Sequence, residues 1–107
     1  MSRTHTIGRR ATAVFTDDDG MTNVVYHETA VVKFDARRVH LNTGGWRTLT
    51  TRTRMNQAAN QFKLGFQVFQ KDFQWYVKPN DGEAVAFDRR ASLKRIDGAL
   101  KVVQTDA

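Results

Sequence analysis

Turn-forming residues divide most of this chain into short segments, and that division limits the folds open to it. The sequences Asp17-Asp18-Asp19-Gly20, Gly44-Gly45 and Pro79-Asn80-Asp81-Gly82 all favour turns, because their residues tolerate tight or left-handed backbone conformations. The segments between them are rich in β-branched and aromatic residues. Short segments of this kind pair with their neighbours along the chain, so we expect a mostly antiparallel β-sheet.

About six to seven of these segments have strand character. In the clearest, Arg38 to Asn42, Val39 and Leu41 alternate with polar residues, which is the period of a half-buried strand. Three hairpins are predicted, pairing residues 11–16 with 21–27, 30–35 with 38–42, and 66–70 with 74–78. A last strand is expected over residues 83–88.

One segment has the period of a helix. Its apolar residues are spaced at i, i+3, i+4 and i+7, which places them in one stripe along a helix. They are Met55, Ala58, Ala59 and Phe62. We predict one central helix over about residues 51–64, with Thr50 or Thr51 as N-cap and Gly65 as a C-terminal glycine cap. The predicted class is α+β with the order β-β-β-β-α-β-β-β. One helix covers one face of such a sheet, which leaves the other face open to a ligand or a second subunit.

The chain length of 107 residues fits one domain with one core. Residues 1–10 are polar, carry three arginines and show no periodicity, so we interpret them as a mobile basic tail before a single α+β domain over residues 11–107. The segment 89–107 is expected to be either a short helix or a tail. Its helical face would hold Leu93, Ile96 and Leu100, with an interruption at Asp97-Gly98.

The composition favours a protein of the cytoplasm. No apolar run is long enough for a membrane span, the N-terminus lacks the apolar core of a secretory signal, and there is no cysteine. We therefore expect no membrane partner.

The positive charge of the chain is concentrated in its centre. Between Asp35 and Asp72 there are seven basic residues and no acid, while the two flanking parts together contribute almost nothing to the net charge of +6. A basic stretch with interleaved aromatic residues is typical of proteins that bind a phosphate-bearing partner.

Catalytic chemistry has little support in the sequence. The three histidines, His5, His27 and His40, lie in separate segments without a metal-binding spacing. The run Asp17-Asp18-Asp19 could hold Mg²⁺ but is more typical of a solvated turn. The two serines, Ser2 and Ser92, have no nucleophile motif around them. We expect a protein that is not an enzyme and has no metal site and no cofactor.

Single-stranded nucleic acid is the partner that the central stretch favours, because a strand needs cations along its backbone and flat rings under its bases. The candidate residues are the cations Arg38, Arg47, Arg52, Arg54, Lys63, Lys71 and Lys78, and the rings of Trp46, Phe69, Phe73 and Tyr76. Trp75 alternates with Tyr76, so we expect at least one of the two in the core. A single helix offers no helix-turn-helix, which disfavours reading of a duplex. DNA and RNA stay open.

Two further expectations concern assembly. A small domain covers few nucleotides, so we predict a homo-oligomer with a longer charged track. The alternative function is that of a regulatory protein that docks on an acidic host protein, because interfaces also favour Trp, Tyr and Arg. Composition does not separate the two.

The sequence blocks GGWRTLTTRTRMNQAANQF and LGFQVFQKDFQWYV resemble those of short uncharacterised proteins of tailed bacteriophages. The resemblance covers about Tyr26 to Val77 and is carried by the GGW, RMNQ and WYV elements. It implies a phage-encoded protein in the cytoplasm of a bacterial host. It is compatible with both functions and assigns no functional residue.

Overall fold

The computed structural model describes residues 12–106, so the predicted tail over residues 1–10 lies outside the described residues. Nine strands and one helix are formed within 12–106. They are β1 (Thr12–Thr16), β2 (Thr22–Tyr26), β3 (Thr29–Phe34), β4 (Arg38–Asn42), α1 (Leu49–Gln61), β5 (Phe66–Lys71), β6 (Gln74–Pro79), β7 (Val85–Phe87), β8 (Arg90–Ile96) and β9 (Ala99–Thr105).

The strands form two antiparallel sheets. The larger has the order β1-β2-β3-β4-β8-β9 and the smaller the order β5-β6-β7. The predicted α+β class, the order of the first eight elements and the three predicted hairpins are confirmed. The division into two sheets was not predicted, because strand patterns show which residues alternate but not where a sheet ends.

The C-terminal segment is a β-hairpin, so its prediction as a short helix or a tail was wrong. Asp97 and Gly98 form a two-residue turn with φ of 53° and 81°, and Ile96 pairs with Ala99 across it. An Asp-Gly pair between segments of alternating apolar and polar residues strongly indicates a hairpin. The helical interpretation did not take this pair into account. Strand β8 then pairs with β4 and brings Leu93 into the core.

Helix α1 begins two residues before its predicted start. Thr48 is the N-cap, because its backbone is extended and its Oγ1 accepts a hydrogen bond from the Thr51 N–H at 3.2 Å. The predicted caps Thr50 and Thr51 lie inside the first turn. Thr48, Thr50 and Thr51 each carry a hydroxyl group that could cap a helix. In the structure it is Thr48 that has the cap geometry, and the sequence alone does not distinguish the three.

The helix ends at Gln61 rather than at residue 64. The Leu64 N–H donates to the Ala59 carbonyl at 2.9 Å, the long-range bond of a Schellman ending. The left-handed residue of this ending is Lys63, with φ of 53°, so the prediction of Gly65 as the glycine cap was wrong.

The core lies between α1 and the inner faces of both sheets. Met55 and Ala58 of the helix are fully buried, as are Trp75 and Phe87 of the small sheet, whose rings meet edge to face with centroids 6.1 Å apart. Of the neighbouring pair Trp75 and Tyr76, Trp75 is therefore the core residue, as the alternation required.

Asn56 joins the helix to the small sheet. Its side-chain amide donates to the Val68 carbonyl and accepts from the Val68 N–H, both at 2.8 Å. A side-chain amide thus takes the place of a neighbouring strand at the outer edge of β5, where backbone groups would otherwise lack a partner.

We predict that Asn56→Ala lowers the free energy of unfolding by about 2–3 kcal/mol, because it removes two hydrogen bonds and leaves the polar groups of Val68 unpaired. Urea denaturation measures the change. The matched control is Asn60→Ala, one turn later on an exposed position of the same helix. Equal stability of the two variants would show that water replaces the Asn56 amide without loss.

Strand pair β5–β6 turns through Asp72 and Phe73, with φ of 51° and 67°. Two left-handed residues in a two-residue hairpin define a type I′ turn, in which the second position favours glycine. A phenylalanine there is strained, and its side chain is 89% exposed, so burial does not offset the strain.

Phe73→Gly is therefore expected to stabilise the fold by about 0.5–1 kcal/mol, because glycine adopts the left-handed region without steric cost. The comparison variant is Gly98→Ala in the β8–β9 turn, which should destabilise by about 1 kcal/mol for the same reason. Chemical denaturation of both variants gives the two signs. Destabilisation by Phe73→Gly would mean that the exposed ring makes native contacts.

Candidate nucleic-acid interface

The outward face of the β5–β6 hairpin brings predicted rings and cations together. Register pairs Phe69 with Tyr76, and residues directly opposite each other share a face. We call this surface the β5–β6 outer face. It consists of Gln67, Phe69, Lys71, Gln74, Tyr76 and Lys78. The Phe69 and Tyr76 rings are stacked, with centroids 5.3 Å apart and planes 17° apart, and both are half-buried.

This face has positive charge and no acid. Lys71 and Lys78 are its two charged residues, and neither forms a salt bridge within the part of the chain that the structure describes. The Lys78 ammonium donates only to the Pro79 carbonyl, at 3.3 Å. Phe73 stands at the end of the same hairpin. Five of the eleven predicted residues thus lie on one hairpin.

Arg52 lies on the opposite side of the small sheet. Its Nη1 donates to the Gln70 Oε1 at 3.0 Å, and its guanidinium lies 5.8 Å from the centre of the Trp75 ring. The side chain therefore covers a buried ring and contributes to the packing of α1 on β5–β6.

Arg54 points to the large sheet instead. Its Nε donates to the Thr12 Oγ1 at 3.0 Å, and its guanidinium lies 5.7 Å from the centre of the Tyr26 ring. Residues two apart on a helix point about 200° apart, so Arg52 and Arg54 diverge. The structure does not bring these two predicted residues together, and this follows from their spacing alone.

The other four predicted residues are also dispersed. Arg38 pairs with Asp35 at 3.0 Å and Arg47 with Asp88 at 2.7 Å. Lys63 occupies the left-handed position after α1, and Trp46 lies in the loop after β4 with its side chain 70% exposed.

The large sheet has a second basic surface that the sequence analysis missed. Across three neighbouring strands, Arg38 lies opposite Lys94 and Lys94 opposite Lys101, all exposed and on the outward face. Like charges directly opposite each other are unfavourable, so this row raises the local potential. A two-residue turn at Asp97-Gly98 places Lys94 opposite Lys101. Prediction of that turn from the sequence would therefore have predicted this pair of cations.

His40 lies next to this row on the same face of the large sheet. Burial lowers the pKa of His40, and the charges of Arg38 and Lys33 lower it further. Its Nδ1 is 2.9 Å from the Ser92 Oγ on the neighbouring strand. His40 is therefore a hydrogen-bonded part of the sheet surface, where burial and the neighbouring cations disfavour its charged form.

The acidic run is a structured turn. The Asp17 carboxylate accepts from the Asn23 amide and from the Met21 N–H, both at 3.0 Å, and pairs with Lys33 at 3.3 Å. The Asn23 bond, followed by these others, lowers the pKa of Asp17 to about 2. Within residues 12–106, no cluster of three or more His, Cys, Asp or Glu side chains could hold a metal ion.

The glycine pair after β4 adopts left-handed conformations, with φ of 66° at Gly44 and 85° at Gly45. A Cβ at Gly44 would lie 2.5 Å from the Thr29 Oγ1, whereas a Cβ at Gly45 would meet nothing within 4 Å. The close approach of this loop to Thr29 therefore requires glycine at position 44 but not at position 45.

Comparison with known proteins gives the family. Residues 1–94 match the family model described as Kyanoviridae Gp96 protein. The chain belongs to this bacteriophage protein family. The match confirms the predicted phage origin, while the GGW, RMNQ and WYV elements stay predictions as family markers. No curated protein and no solved structure gives a significant match to the chain.

The part that matches the Kyanoviridae Gp96 model includes α1 and the whole β5–β6 outer face, whereas β9 lies beyond it. Within the described residues, no helix has the length and apolar character needed to cross a membrane.

Gly44→Ala should destabilise the protein by about 2 kcal/mol or more, because it combines left-handed strain with an overlap against Thr29. Gly45→Ala carries the strain alone and should cost about 1 kcal/mol. Thermal and urea unfolding of both variants would separate the two effects. Equal losses would show that the loop moves away from Thr29 at no cost.

Proposed function

We propose that this phage protein binds single-stranded nucleic acid without catalysis, through the β5–β6 outer face, in the cytoplasm of the infected bacterium. The observation that supports the proposal best is the stacked pair of Phe69 and Tyr76 with Lys71 and Lys78 on the same face. Membership of a bacteriophage family supports the proposed compartment.

The chemistry of this face suits bases and phosphates at once. An aromatic ring contributes about 1–3 kcal/mol for each base that stacks on it, with little dependence on the base. The two lysines lie on either side of the rings, where they could contact phosphates, and the exposed Gln67 offers an amide for hydrogen bonds. The Gln74 amide nitrogen donates to the carbonyls of Trp75 and Phe87 instead. Phe73 would extend the row of rings past the turn.

The strain at Phe73 adds a separate argument. Glycine would be more stable at this position, and the ring is almost fully exposed, so stability does not account for the phenylalanine. Strained residues of this kind concentrate at binding sites. We infer that Phe73 contacts the bound strand.

The proposal includes self-association. One hairpin face spans few nucleotides, and symmetric assembly would join several such faces into a longer track. The sheets also present edge strands, β1 and β9 in the large sheet and β7 in the small one, whereas Asn56 of α1 covers the edge of β5. Light scattering on the purified protein gives the oligomeric state.

A second candidate function is docking on an acidic host protein. Among residues 12–106, the most exposed large apolar side chains are those of Trp46 at 70%, Leu49 at 69% and Phe73 at 89%. Exposed aromatic residues near cations are typical anchors of protein interfaces. Absence of oligonucleotide binding at low salt would favour this function.

The decisive comparison reverses charge on two different faces. Lys71→Glu with Lys78→Glu should weaken binding of a single-stranded oligonucleotide of about 12 nucleotides by at least about tenfold, and lower the salt slope by at least about 1.4, since two phosphate contacts are lost. Lys94→Glu with Lys101→Glu makes the same charge change on the large sheet and should have a small effect. Fluorescence anisotropy over a range of salt concentrations measures both.

The reverse result, loss with the second pair and not with the first, would move the interface to the large sheet. Phe69→Ala with Tyr76→Ala tests the stacking contribution separately. Circular dichroism and melting temperature establish that each variant is folded.

A further inference from the structure

A cavity of about 600 Å³ lies between the β2–β3 turn and the loop from β4 to α1. Its lining residues are Tyr26, His27, Glu28, Thr29, Val31, Thr43, Trp46, Thr48 and Thr51. None of them belongs to the β5–β6 outer face. The volume is in the range of sites that hold one small ligand.

The walls of the cavity are held in place by the backbone. Gly44 lets the loop approach Thr29 closely, as its missing Cβ shows. The Trp46 N–H donates to the Thr43 carbonyl at 3.0 Å, which fixes the chain just before the ring. The Trp46 side chain nevertheless stays 70% exposed, so the core does not account for its position. The loop thus places Trp46 at the wall of the cavity and leaves its side chain accessible to solvent.

The lining chemistry favours a flat ligand with N–H donors. Aromatic surface comes from Trp46 and from Tyr26 and His27, whose rings are in contact with centroids 4.4 Å apart. The Glu28 carboxylate is the acidic group of the lining, and within residues 12–106 it forms no salt bridge. Among residues 12–106, no Lys or Arg is part of the lining, which disfavours a phosphate as the group bound inside. The Arg54 guanidinium lies near the lining residue Tyr26, 5.7 Å from the centre of its ring.

We propose that this cavity binds one unpaired guanine base, stacked on Trp46 and hydrogen-bonded to Glu28. Among the four bases, guanine alone carries two adjacent donors on its pairing edge, N1–H and the N2 amino group. A carboxylate accepts both at once, in a charge-assisted bidentate pair. Flat bases stack well on Trp.

The inference deepens the proposed function. It rests on that function because the guanine would belong to a nucleotide of the bound strand. The β5–β6 outer face would hold the strand without base preference. The cavity would add a preference for guanine at one position, since specific recognition of single strands uses splayed-out bases held by stacking and edge hydrogen bonds.

Tryptophan fluorescence makes the test direct, because the chain has two tryptophans and Trp75 is fully buried. Guanosine should quench the Trp46 emission saturably. Adenosine, cytidine, uridine and inosine should bind at least about tenfold more weakly, since none of their bases has two adjacent donors on its pairing edge. Trp46→Phe should abolish the quenching signal.

Glu28→Gln should weaken guanosine binding by about tenfold, because an amide oxygen replaces a charged, two-oxygen acceptor. The matched control is Glu83→Gln, an exposed acid outside the cavity, which should leave binding unchanged. Saturation-transfer NMR with guanosine repeats the comparison without a tryptophan signal. Equal binding of all nucleosides, no saturable binding, or full affinity in folded Glu28→Gln would overturn the proposal.

The nucleoside assay is independent of the oligonucleotide assay. Oligonucleotide binding with no guanosine preference would remove the cavity proposal and leave the proposed function intact. Guanosine binding by a protein that does not bind oligonucleotides at low salt would remove the proposed function and leave guanine binding by the cavity intact.

Discussion

The structure depends on one short helix that packs against two sheets at once. Helix α1 can do this because its buried side includes Ala58 and Ala59, whose small side chains permit close approach, and Met55, whose flexible chain fills the remaining space. Asn56 adds a directional link, since its amide bonds both backbone groups of Val68. Arg52 adds a second polar link to the same sheet, through its hydrogen bond to Gln70 and its position over the Trp75 ring.

That arrangement decides which surfaces are open. The helix and the small sheet cover the inner face of the large sheet, so the outward residues of both sheets remain at the surface. On β6, alternation sends Trp75 into the core and Tyr76 outwards, next to Phe69. The two outward faces differ in chemistry, because the small sheet combines rings with lysines whereas the row on the large sheet consists of cations. This difference is why the proposed base stacking is on the small sheet.

Two loops, the Asp72-Phe73 turn and the loop with Gly44, combine left-handed backbone with an exposed aromatic ring. The Asp97-Gly98 turn has the residue types that its geometry favours, whereas the Asp72-Phe73 turn has a phenylalanine in a position that suits glycine. The loop with Gly44 is different again, because its glycine permits contact with a neighbouring turn and thereby creates a cavity beside Trp46. Phe73 and Trp46 both have an exposed ring on a constrained backbone, in a two-residue hairpin turn for Phe73 and after the hydrogen bond to the Thr43 carbonyl for Trp46. A constrained backbone limits the entropy lost on binding.

The sequence by itself determined the secondary structure up to residue 88, the three hairpins, the existence of the helix and the concentration of charge, because these follow from local period and turn chemistry. The register of the third hairpin was not predicted, because a turn over Lys71-Asp72-Phe73 would place Phe69 opposite Trp75. The two-residue turn in the structure pairs Phe69 with Tyr76 instead. The β8–β9 hairpin was equally local and could have been predicted from Asp97-Gly98.

Tertiary structure alone decided the rest. It separated the strands into two sheets, inserted β8 next to β4, and directed Arg52 and Arg54 to different sheets, where each covers an aromatic ring. These outcomes depend on contacts between residues far apart in the chain, which local patterns do not encode. For the same reason the cavity beside Trp46 has no sequence signature, since its walls come from two loops that meet only in the folded protein.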